Sequence, residues 1–135
     1  MALLLAGCGG FLLCGCETPQ INVLTPLGVI DFAPSDGATD VDPAADEGVC
    51  FSESVNGMDL GVQISIEDST NTPVAGLTVA NSQVNGSTDP YCLDLAHPAL
   101  ATDSVYQIVV PQGLMAENGQ TLAATITSTF RTATQ

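Results

Sequence analysis

Tyr91-Cys92-Leu93-Asp94-Leu95 alternates large apolar and polar or small side chains at every step, and Val62-Gln63-Ile64-Ser65-Ile66-Glu67 does the same. A period of two sends successive side chains to opposite faces of an extended strand, so each segment reads as a strand with one packed face and one wet face. Working outward, short apolar runs recur at Val29–Phe32, Val49–Phe51, Leu60–Ile66, Leu77–Val79, Val105–Val110 and Thr125–Phe130. Between them lie Pro34-Ser35-Asp36-Gly37, Asp68-Ser69-Thr70-Asn71, Asn85-Gly86 and Asn118-Gly119, residues that accept positive φ or bond their own backbone. No segment carries a sustained helical period, and there is no internal repeat. About seven short strands at regular spacing predict one all-β antiparallel sandwich over residues 29–135. Its core is expected to hold Phe32, Val41, Val49, Phe51, Val62, Ile64, Ile66, Leu93, Leu95, Leu100, Tyr106, Ile108, Val110, Leu122, Ile126 and Phe130.

The chain opens differently. Residues 1–16, MALLLAGCGGFLLCGC, are apolar, uncharged and hold three of the five cysteines. An apolar run that ends in a small residue before a cysteine is what an export signal with a lipid attachment site requires, because the thiol is acylated and the upstream segment removed. Leu5-Ala6-Gly7-Cys8 fits that pattern more closely than Leu13-Cys14-Gly15-Cys16, yet cleavage before Cys16 leaves the more suitable apolar length. Cys8 or Cys16 is therefore the expected lipidated residue, with the bilayer as partner. A transmembrane span needs ~20 apolar residues, and this run stops at Glu17. Residues 17–28, with two prolines and no helical period, read as an extended tether.

All fifteen acidic residues follow Cys16, against a single Lys or Arg, for a formal charge of −14. Such a surface repels nucleic acid and anionic membranes and suits basic partners or divalent cations. Trp is absent and aromatic residues make up only 4% of the chain, so base- or sugar-stacking platforms are poorly supplied. The densest acidic stretch, Asp31 to Glu47, includes Asp36, Asp40, Asp42, Asp46 and Glu47, oxygen donors of the kind Ca²⁺ takes, although their spacing is not that of an EF-hand. Turn chemistry alone also explains the Asp-Gly and Asp-Pro steps.

Five motifs occur in a particular order: Ala33-Pro34-Ser35-Asp36-Gly37-Ala38-Thr39-Asp40-Val41, Val49-Cys50-Phe51-Ser52-Glu53-Ser54-Val55, Leu100 through Tyr106 to Val110, Gly113-Leu114 through Gly119 to Leu122, and Ser128-Thr129-Phe130-Arg131-Thr132. The set resembles the bacterial Ig-like domains of surface-layer and adhesin-like proteins, the SbsA type. Ala116 and Gln120 depart from the Asp and Asn usual there. The resemblance implies an Ig-like sandwich that acts as a non-catalytic spacer, stalk or adhesion module, with an envelope protein or polysaccharide as partner and no cofactor. In that topology the strands carrying Cys50 and Cys92 are antiparallel neighbours. Both cysteines have outward parity, set by Val49 and Phe51 and by Tyr91 and Leu93. A cross-strand disulfide is expected, the alternative being two free thiols. His97, the only histidine, precedes Pro98 in a stretch that reads as an exposed loop. Without a G-x-S-x-G elbow around any serine, it is a weak candidate for an envelope hydrolase. Arg131 is expected to pair with a nearby carboxylate.

Overall fold

The computed structural model describes residues 25–60 and 63–135. Cys8, Cys16, the leader and most of the tether lie outside them, as does Val62. Among the described residues eight strands form: β1 (Val29–Ala33), β2 (Ala38–Val41), β3 (Glu47–Phe51), β4 (Ser65–Asp68), β5 (Thr78–Val84), β6 (Ser87–Ala96), β7 (Val105–Val110) and β8 (Ile126–Thr132). They make two four-stranded sheets, β1-β3-β6-β5 and β2-β8-β7-β4. The core lies between the sheets, where Phe51, Ile66, Leu93, Leu95, Ile108 and Val110 are fully buried.

The all-β sandwich read from the alternation is present, with three corrections. Ala38–Val41 adds an eighth strand, and it pairs with β8 in parallel, so the second sheet is mixed rather than antiparallel. The cause is topological: after β1 the chain turns at Ser35–Gly37 and crosses to the other sheet, where β2 meets β8. The strand expected from Leu60 begins only at Ser65, because Gly57–Leu60 forms a one-turn helix, α1, against the edge of β5. Leu27, placed in the tether by the sequence, is buried and donates its N–H to Thr121 O at 3.0 Å.

Local chemistry explains the hairpin that joins β5 to β6. Asn85 and Gly86 have φ of 52° and 80°, between the paired residues Val84 and Ser87. Positive φ at both central positions is the type I′ requirement, and the twist of that turn suits a two-residue hairpin. Farther along, the β5–β6 register jumps from Asn81↔Leu93 to Gln83↔Thr88, a bulge that bends the ladder. Tyr91 sits in it and is 46% exposed, although its parity is that of Leu93.

The expected core is largely assembled, with Phe32, Val41 and Ile126 only half-buried at its margin. Leu27, Val55, Leu114 and Ala116 join it from loops, where no strand period marks them. One end is locked by Tyr106. Its ring stacks on Phe130 with centroids 6.0 Å apart, and its hydroxyl accepts the Ala101 N–H at 3.0 Å. That bond, from a Tyr early in its strand to backbone a few residues upstream, is the tyrosine corner of Ig-like sandwiches. Buried Thr132 ties the same loop, accepting from Ser104 N–H and donating to Ala101 O.

Candidate functional site

β3 and β6 are antiparallel neighbours in which Val49 faces Leu93 and Cys50 faces Cys92. Val49 and Leu93 point into the core, so both cysteines point outward, and they form a disulfide with Cα atoms 4.1 Å apart. Although the β5–β6 register shifts between Thr88 and Leu93, Cys92 keeps its register with β3 and therefore its parity. Beside the cystine the outer face carries two small residues, Ala33 on β1 and Gly48 on β3. They leave a depression of about 240 Å³, with Val84 at its far side and Asp31, Asp89 and Asp94 around it. Asp94 also accepts from Ser82 Oγ at 2.6 Å, and Asp89 accepts from Tyr91 N–H at 2.9 Å.

On the inner side of the same two strands lies a second polar feature. Glu47 Oε2 and His97 Nε2 are hydrogen-bonded, with the two side chains 1% and 0% exposed. The other ring nitrogen, Nδ1, donates to Pro98 O at 2.7 Å, while Glu47 Oε1 is buried without a hydrogen-bond partner. Burial raises the Glu47 carboxyl above its ordinary value; the charge and hydrogen bond of His97 oppose this, and Asp46 adds to it. His97 is thus a core residue rather than the exposed loop residue expected from sequence, because Leu93, Leu95 and His97 continue one parity. Glu47, Val49 and Phe51 do likewise on β3. Extending the period by one step on each strand would have located the pair. Both ring nitrogens are engaged and the ring is sealed from solvent, so His97 offers no lone pair to a substrate.

The acidic stretch, read as offering oxygen donors of the kind Ca²⁺ takes beside the turn chemistry that also explains it, is spread over separate turns and strands. Asp36 accepts Thr129 N–H at 2.8 Å, and Asp42 accepts Ala44 N–H at 2.9 Å. Asp40 takes φ 57° in β2, Asp46 is exposed in the turn before β3, and Glu47 is turned inward to His97. Among the described residues no three His, Cys, Asp or Glu side chains are grouped to hold a metal ion. Each carboxylate that makes a contact serves the backbone or a buried partner instead. Arg131 pairs with Asp103 through Nε at 2.9 Å and Nη2 at 2.7 Å, at the exposed surface of β8.

A family model described as a bacterial Ig-like domain matches residues 24–132. Among solved structures, CopC from Methylosinus trichosporium OB3b is similar, with a TM-score of 0.54 and 22% identity, over 79% of this chain and 93% of that one. Native alpha-2-macroglobulin from Escherichia coli, spanning domains MG0-NIE-MG1, gives a TM-score of 0.55 and 20% identity over 82% of this chain and 33% of that one. At such identities the likeness is one of fold. No curated protein matches the sequence. The match over nearly all the described residues, the two-sheet topology and the tyrosine corner agree, and the chain belongs to the bacterial Ig-like domain family.

Proposed function

We propose that this is a non-catalytic cell-envelope lipoprotein, exported and anchored through Cys8 or Cys16, that holds one Ig-like domain at the surface as a spacer or contact module of the surface-layer, SbsA-like kind. The observation that carries the reading is the Cys50–Cys92 cystine: structural disulfides persist in oxidising compartments, which agrees with an export leader upstream. The fold contributes a rigid body with its polar loops tied down, and the one histidine is committed to the core. Intact-mass and peptide mass spectrometry of the protein from its native membrane fraction tests the reading. The expected product starts at an acylated Cys16 or Cys8 and carries the Cys50–Cys92 cystine. Recovery from the cytosol with residues 1–16 intact and both thiols free would overturn it.

A further inference from the structure

The outer face of β1-β3-β6-β5 carries both an apolar depression and acidic side chains. Its centre is a depression floored by Ala33, Gly48 and the cystine, and its rim is anionic at Asp31 and Asp94. Ile30, 66% exposed, and Val84, 54% exposed, stand on the two edge strands of the same sheet. At about 240 Å³ the depression is below the ~300–1,000 Å³ of small-molecule sites and has the scale of a socket for one anchoring side chain. The rim finds no cation within the domain. The chain has one Lys or Arg, and Arg131 lies on β8 of the other sheet, paired with Asp103.

We propose that this face docks a basic segment of a partner protein, in which an apolar side chain flanked by lysine or arginine enters the depression over the cystine while its cations meet Asp31 and Asp94. Charge complementarity selects the partner: a formal charge of −14 steers a cationic segment toward the domain, and the apolar socket fixes where it seats. The proposal deepens the envelope reading by naming the partner's chemistry, and rests on it for the oxidised state of the cystine. Its test does not depend on lipidation, so one can fail without the other.

The experiment measures fluorescence anisotropy of a labelled peptide of alternating arginine and leucine on the purified full chain with its cystine oxidised. A peptide with serine in place of leucine serves as the charge-matched control. Gly48→Val fills the socket without changing charge; a Cβ there would stand 3.4 Å from Leu93 O and 3.9 Å from Ala33 Cβ, ordinary contacts. The leucine peptide is expected to bind at least about tenfold more tightly than the serine peptide, and Gly48→Val to remove most of that difference. Asp31→Asn with Asp94→Asn is expected to weaken binding several-fold, and Asp59→Asn with Glu117→Gln, away from this face, to change it less than about twofold. If Gly48→Val fails to fold, Val84→Ser on the exposed edge removes the apolar wall and is read the same way. Equal affinity for the two peptides, or undiminished binding by a folded socket variant, means that the acidic field alone captures cations and overturns the proposal.

Discussion

Glu47 and His97, fifty residues apart in sequence, meet as a buried hydrogen-bonded pair at one end of the sandwich, with Glu47 Oε1 left without a partner. The raised Glu47 carboxyl means that the native state holds its proton to higher pH than the unfolded chain does. Where the folded state binds more protons, stability falls as pH rises. The contribution of Glu47 is therefore full below its ordinary value of 4.5 and is lost as pH climbs through the raised one. Urea midpoints taken between about pH 4 and about pH 8 are expected to fall less for Glu47→Gln than for the unaltered chain. Equal slopes would show that the pair does not control this dependence.

Removing the partner is more severe. His97→Ala leaves the Glu47 carboxylate buried and uncompensated, and stability at neutral pH is expected to drop by about 3 kcal/mol. Glu47→Gln in the same background should recover part of the loss, because it removes the unpaired charge; a double variant no more stable than His97→Ala would contradict that account.

The cystine closes a sequence separation of 42 residues. On the chain-entropy relation a loop of that length contributes about 4 kcal/mol. The Cys50→Ala, Cys92→Ala double variant is expected to lose stability by up to that amount. The unaltered protein should fall to the same level in reductant, whereas the variant ignores it.

Gly57 opens α1 where the helix meets β5. A Cβ there would stand 2.8 Å from the Ala80 carbonyl carbon and 2.9 Å from Asn81 N, backbone that cannot swing aside. Asn81 binds this turn from below, with Oδ1 accepting Gly57 N–H at 3.0 Å and Nδ2 donating to Val55 O at 2.9 Å. Gly57→Ala is expected to destabilise by about 1–3 kcal/mol through overpacking, and faster amide exchange at Gly57 and Val55 would place the damage there.

Tyr106→Phe keeps the ring on Phe130 and deletes only the acceptor of the Ala101 N–H. A loss of about 1 kcal/mol is expected. Tyr106→Ala should cost at least about 3 kcal/mol, since buried aromatic volume goes with it; similar losses for both would assign the residue's role to the hydroxyl alone.

What the sequence determined by itself follows from period two and turn chemistry, which are local. Val49 and Phe51 fixed the outward parity of Cys50, Leu93 fixed that of Cys92, and Asn85-Gly86 specified a hairpin because few other pairs accept positive φ twice. The same alternation contained Glu47 and His97, but charge and an adjacent proline suggested loops, so the pair went unread. Only tertiary structure decided the rest. It set β2 parallel to β8, swung Tyr91 out at a bulge, and drew Leu27, Val55 and Leu114 inward from segments without period. It also dispersed the acidic stretch: Asp42 bonds Ala44 N–H in its own turn, Asp36 bonds Thr129 N–H on β8, and Glu47 turns inward to His97. Such outcomes depend on which distant strand lies opposite, and spacing along one chain does not encode that distance.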